Sequence, residues 1–151
     1  MTISTNAAIE FFGTQTTVTG TTAAVANNTF SVTGDIVAFI NSDDAPQASV
    51  VASLDWSVSP DDNGSVSLFA RLMNIDATND QDVPNANFQH VYLGSFPINN
   101  VTTNQYIAIE ISLPNTTSSQ VYEFYIENQT GQTIQANWTL KVTPKTLGPH
   151  A

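Results

Sequence analysis

The chain has 151 residues and a formal net charge of -10, with thirteen acidic residues against three basic ones, Arg71, Lys141 and Lys145. Such a surface repels phosphate backbones and anionic headgroups, which sets aside nucleic-acid and anionic-membrane binding and leaves basic protein partners, divalent cations or plain solvation. Cysteine is absent, so disulfides, thiolate nucleophiles and zinc–thiolate sites are excluded together, while 41% hydrophobic residues suffice for the core of one domain.

Residues 1–6 carry no basic residue and no apolar run of the kind a secretory signal needs, and no stretch has the length of a membrane helix. Residues 1–20 are Thr-rich, with Ile9, Phe11 and Phe12 as the strong apolar group. They read as a first strand or as an arm that docks Phe11 and Phe12 on a neighbouring subunit. Phe30 and Val32 alternate across Ser31, and 36–40 is almost continuously apolar, as a strand covered on both sides would be. Val50, Ala52, Leu54, Trp56 and Val58 share a face; Val66, Leu68, Ala70 and Leu72 share another. The turn signal between them, ending in Asn63-Gly64, predicts a hairpin.

Residues 74–88 have no period and form the longest loop, a length that suits function or flexibility. In 90–98, Tyr92, Gly94, Phe96 and Ile98 alternate with Val91, Leu93 and Ser95, and Pro97 predicts an edge position or the end of the ladder. Ile107, Ile109, Ile111 and Leu113, then Tyr122, Phe124 and Ile126, mark two strands around the turn-forming 114–119. These read as the central pair. Ile134, Ala136, Trp138, Leu140 and Val142 form a last strand that Pro144 ends. The pattern therefore predicts an all-β fold: a single jelly-roll-like sandwich of about eight antiparallel strands, with an immunoglobulin-like topology still open. The expected layout is an N-terminal arm or first strand over 1–20, the β-sandwich domain over 21–145 and a flexible C-terminal tail over 146–151.

Catalytic chemistry finds little support in the residues, and the chain reads as no enzyme. No serine sits in Gly-x-Ser-x-Gly, and a triad would have to rest on His90, since His150, the other histidine, lies in the tail. Glu110 and Glu123, read as lying on neighbouring strands, could form a carboxylate pair if both point to a concave face. Glu123 could equally pair with Arg71, the sole arginine, as a structural ion pair, although Arg71 would also suit an acidic group on another subunit. No cofactor is required. Asp76, Asn79, Asp80 and Asp82 place hard oxygen ligands close together, as do Asp61, Asp62 and Asn63, and Ca2+ is the cation such oxygens would take. Trp56 and Trp138 read as core. Tyr106 and Tyr125 lie off the apolar faces of their strands and read as exposed aromatics, suited to a sugar or a subunit interface. The Asn-x-Ser/Thr acceptors at Asn27, Asn63, Asn100, Asn115, Asn128 and Asn137 are expected by chance in so Asn- and Thr-rich a chain.

The segments 65–76 (SVSLFARLMNID), 90–96 (HVYLGSF), 122–131 (YEFYIENQTG) and 138–141 (WTLK) resemble small virion-associated proteins of tailed bacteriophages. The likeness spans about 54 to 145. It implies a virion location and a structural component, with capsid decoration or cementing as one use, binding the major capsid protein and its own copies as trimers. A tail or surface domain that binds host glycan is the alternative. The resemblance transfers no site residue, and Phe11, Phe12, Tyr106 and Tyr125 are the residues expected at an interface.

Overall fold

The computed structural model describes residues 8–149. Ten strands form two antiparallel sheets packed face to face: β1 (Ala8–Phe12), β2 (Thr16–Thr17), β3 (Thr29–Phe30), β4 (Phe39–Ile40), β5 (Gln47–Leu54), β6 (Ser65–Met73), β7 (Val91–Pro97), β8 (Gln105–Ser112), β9 (Val121–Gln129) and β10 (Thr139–Pro149). The first sheet runs β1-β10-β5-β8, with β2 on the same side of β10 as β1. The second runs β3-β9-β6-β7, and β4 likewise shares the β3 side of β9.

Period-two alternation builds the core between the sheets. β5 sends Ala48, Val50, Ala52 and Leu54 inward and β10 sends Leu140 and Val142, while β6 answers with Val66, Leu68, Ala70 and Leu72 and β9 with Tyr122, Phe124 and Ile126. Each large aliphatic or aromatic side chain fully withdrawn from water here contributes about 1.5–3 kcal/mol. Both tryptophans are core, and their indole N–H groups are satisfied: Trp138 donates to the Ala23 carbonyl at 2.9 Å and Trp56 to Thr130 Oγ1 at 3.1 Å. The buried Asn128 amide donates to the carbonyls of Val25 and Gln132 and accepts from Thr130, which ties the chain ends of the second sheet together.

Several expectations are corrected. β5 and β6 are not a hairpin; they lie in opposite sheets, so the Asn63-Gly64 turn carries the chain across the sandwich. β8 and β9 are likewise in different sheets, and β8 is an edge strand rather than half of a central pair. The apolar run 36–40 contributes a strand of two residues. Pro144 does not end the last strand, and 145–149 is no tail: β10 runs on to Pro149, paired with β1. The Pro144 carbonyl accepts from Gly13 N on the β1 side, where its missing N–H would also point. There β1 stops and β2 has not begun, so no ladder bond is lost. Residues 150–151 and 1–7, including His150, lie outside the described residues. Finally, Tyr92 and Phe96 do not share a face. The register slips by one residue at Leu93, where Leu68 pairs with Gly94 and Phe69 with Tyr92, which turns Tyr92 outward and Phe96 inward.

Candidate functional site

The two outer faces differ in what lies on them. On the second sheet, Phe69 and Tyr125 point away from the core yet are 4% and 0% exposed. Phe30 packs on Phe69 with ring centroids 5.4 Å apart, and Tyr92 meets it edge-on at 5.6 Å. The Tyr125 hydroxyl donates to Glu123 Oε2 at 2.8 Å and reaches Thr33 Oγ1, in the 3-10 turn Thr33–Asp35, at 3.3 Å. Burial pushes the Tyr125 phenol up to about 12. Arg71 Nη1 donates to Glu123 Oε2 at 2.9 Å, its Nε donates to the Gln81 carbonyl at 2.6 Å, and Asp80 stands 3.9 Å from Nη2. Arg71 thus fastens the loop after β6 onto the sheet. The expectation of an exposed Tyr125 is corrected: alternation put it on the outer face, but the turn after β3 roofs that face.

On the first sheet the outer face is bare. Tyr106, Ala108, Glu110 and Ser112 of β8 stand beside Ser53, Val51, Ser49 and Gln47 of β5, and Thr139, Lys141, Thr143 and Lys145 of β10 complete the rows. Tyr106 is 76% exposed. Beside it a shallow groove of about 120 Å³ is lined by Val51, Ser53, Thr139 and Lys141. At the other end Lys145 Nζ lies 2.5 Å from Glu110 Oε2 and 3.3 Å from Glu10 Oε1, with the Phe12 ring 5.1 Å away. The hydrogen bond from Lys145, then that from Ser49, holds the Glu110 carboxyl below its usual range; Glu110 in turn raises Lys145. These groups border an open depression of about 470 Å³ with Gln47, Ile111 and Ser112. The cluster ties β1 across β10 to β8.

β1 and the end of β10 extend beyond β5, whose pairing stops at Gln47 opposite Lys145. This two-stranded overhang carries Phe11, Phe12 and Leu147, which are 49%, 64% and 66% exposed. Of the four expected interface aromatics, Phe11, Phe12 and Tyr106 are therefore at the surface, all on strands of the first sheet. Glu10, Lys145 and Leu147 escaped the sequence reading as members of this surface. The outward row Lys141, Thr143, Lys145, Leu147 continues unbroken through Pro144, and that alternation was the available signal.

Glu110 and Glu123 cannot act as a carboxylate pair, because they stand on the outer faces of opposite sheets, with the core between them. His90 is exposed beside Phe88, ring centroids 5.8 Å apart. In the acidic loop, Asp76 Oδ1 accepts from the Thr78 and Asn79 amides and Oδ2 from Asn79 Nδ2, and these bonds, the Asn79 side chain's first, lower Asp76 to about 2. Asp80 Oδ1 accepts from Asn74 N at 2.8 Å. The loop's own amides thus take up oxygens that a cation would need. Among the described residues no three or more His, Cys, Asp or Glu side chains are placed to hold a metal ion. No protein-family model matches the chain, and no curated protein matches it.

Proposed function

We propose that the chain is a non-enzymatic structural protein of a phage virion that decorates or cements the capsid, gripping the major capsid protein and its own copies through the first sheet. The observation that carries this reading is the β1·β10 overhang, which holds Phe12 and Leu147 out to solvent on the bare sheet face and Phe11 on the reverse side of the same two strands. An adhesive protein needs such an apolar patch, rimmed by polar groups, rather than a cleft. The strand order supports a jelly roll as the finer fold. When β1 with β2, and β3 with β4, are each taken as one interrupted strand, eight strands remain, in sheets of order 1-8-3-6 and 2-7-4-5. Only the β6–β7 connection then stays within a sheet. Jelly rolls are recurrent in capsid and lectin domains. The test is to add the purified protein to capsids of the encoding phage that lack it. Binding and a raised capsid melting temperature are expected, both weakened in a Phe11→Ala, Phe12→Ala double variant. Absence of binding overturns the reading.

One observation favours a second reading, a tail or surface domain that binds host glycan: the exposed Tyr106 ring stands beside a groove with the Ser53 and Thr139 hydroxyls and the Lys141 ammonium. Aromatic faces stack on sugar rings while polar neighbours take the hydroxyls. Retention on host polysaccharide that Tyr106→Ala abolishes would support it; equal retention of both proteins would sink it.

A further inference from the structure

The four sheet edges are not alike. The β1/β2 edge is broken at Gly13, where an added Cβ would stand 2.7 Å from Pro144 Cγ. The β3/β4 edge is broken by the eight residues 31–38, which include the 3-10 turn. The β7 edge carries the slip at Leu93, Gly94 at φ 154° and a terminal Pro97. Breaks, bulges and prolines are the usual means of stopping an edge from pairing with another chain. β8 has none of them: Gln105–Ser112 pairs with β5 in unbroken register and contains no Gly, Pro or Lys.

The outward backbone groups of β8 are free. Leu113 N donates to the Pro46 carbonyl on the β5 side, so by alternation Ile111, Ile109 and Ile107 also face β5. Tyr106, Ala108, Glu110 and Ser112 then turn their N–H and C=O groups to the open side, and among the described residues no hydrogen bond to those groups is found. The charge distribution points the same way. Acidic residues gather in the loops at the two ends of the sandwich, Asp55, Asp61 and Asp62 at one and Asp43, Asp44, Asp76, Asp80 and Asp82 at the other. From 83 to 122, the stretch that holds β7 and β8, Glu110 is the only Asp, Glu, Lys or Arg, and it pairs with Lys145, which it shares with Glu10. Two molecules of charge -10 repel over most of their surfaces; this flank is where they can meet without opposed like charges.

We infer that β8 is a pairing edge for a second copy of this chain, joined antiparallel about a two-fold axis so that the first sheets of both copies become one. Charge selects the register. Centred on Ile109, the pairing sets Glu110 opposite the small Ala108 of the other copy and Ile107 opposite its Ile111, whereas centring on Glu110 would oppose two carboxylates. Tyr106 then lies over Ser112 of the other copy. This goes beyond capsid attachment and is independent of it: the isolated protein suffices for the test, and its failure leaves capsid binding untouched. The two-fold pair takes the place of the trimer that the phage resemblance implies.

The experiment is sedimentation equilibrium of the full chain over a range of concentrations and salt. A mass approaching twice 16.2 kDa is expected, reached at lower concentration as added salt screens the mutual repulsion. Ala108→Glu and Ala108→Pro should both sediment as folded monomers: the first sets a second carboxylate directly opposite Glu110 of the other copy, the second removes an outward amide, and neither group serves a bond within the domain. Phe12→Ala should leave the dimer intact. If Ala108→Pro fails to fold, Ala108→Glu decides. A wild-type mass of 16.2 kDa at every concentration, or a dimer that Ala108→Glu retains, overturns the inference.

Discussion

The outer faces of the two sheets begin from similar sequence patterns and end in opposite states. In β9, Tyr125 alternates with Phe124 and Ile126; in β8, Tyr106 leads an alternation of isoleucines with Ala108 and Glu110. Tyr125 is fully buried and Tyr106 is 76% exposed. The difference arises from their surroundings rather than from either strand. The edge of the second sheet is interrupted by a turn that folds back with Phe30 over Phe69 and Thr33 onto Tyr125, and Arg71 draws the loop after β6 onto the same face. The first sheet has no comparable insertion. One face is closed into a second, smaller core and carries stability; the other is left open and is free for contact.

The largest effect that separates the faces is truncation. Tyr125→Ala should cost about 3–5 kcal/mol in denaturant unfolding, through the cavity and the lost hydrogen bond to Glu123, whereas Tyr106→Ala should stay within about 0.5 kcal/mol. Comparable losses from both would erase the distinction. Glu123→Gln should cost about 1–3 kcal/mol by weakening the charged bonds from Arg71 and Tyr125, with a lower midpoint and an unchanged slope. A smaller and more specific effect is alkaline. Burial raises Tyr125, and also Tyr122 in the core, from 10.0 to about 12. A phenol whose folded pKa is raised contributes stability that is complete below the unfolded value and is lost as pH climbs through the folded one. Melting temperature should therefore fall between about pH 10 and pH 12, and Tyr125→Phe should flatten part of that fall. A melting temperature level to pH 12 would contradict the closed face.

Alternation in the sequence was sufficient to locate the long strands and to orient Val50, Leu68, Phe124 and Leu140, because side-chain direction in a strand is a local property. It could not assign strands to sheets. Asn63-Gly64 has the turn chemistry of a hairpin, but a reversal across the sandwich and one within a sheet ask for similar residues. Nor could it say what covers an outward residue: whether Tyr125 is bare depends on the turn that holds Thr33, some ninety residues away in sequence. Pro144 misled for a related reason. Its missing amide matters only if a partner strand needs it, and the partner breaks at Gly13. The Arg71–Glu123 pairing was within reach of the sequence because Arg71 is the sole arginine and both residues stand on outward rows. The Glu10–Lys145–Glu110 cluster was not, since it needs β1, β10 and β8 to be side by side.

The central claim, that this protein makes its contacts through the first sheet, is tested most directly by hydrogen-exchange footprinting of the protein free and bound to phage capsids, its proposed partner. The account predicts slowed exchange in Ala8–Phe12 on binding, with Ser65–Met73 and Val121–Gln129 unchanged and Gln105–Ser112 already protected in the free dimer. Protection confined to the second sheet, with Ala8–Phe12 exchanging as in the free protein, would contradict it.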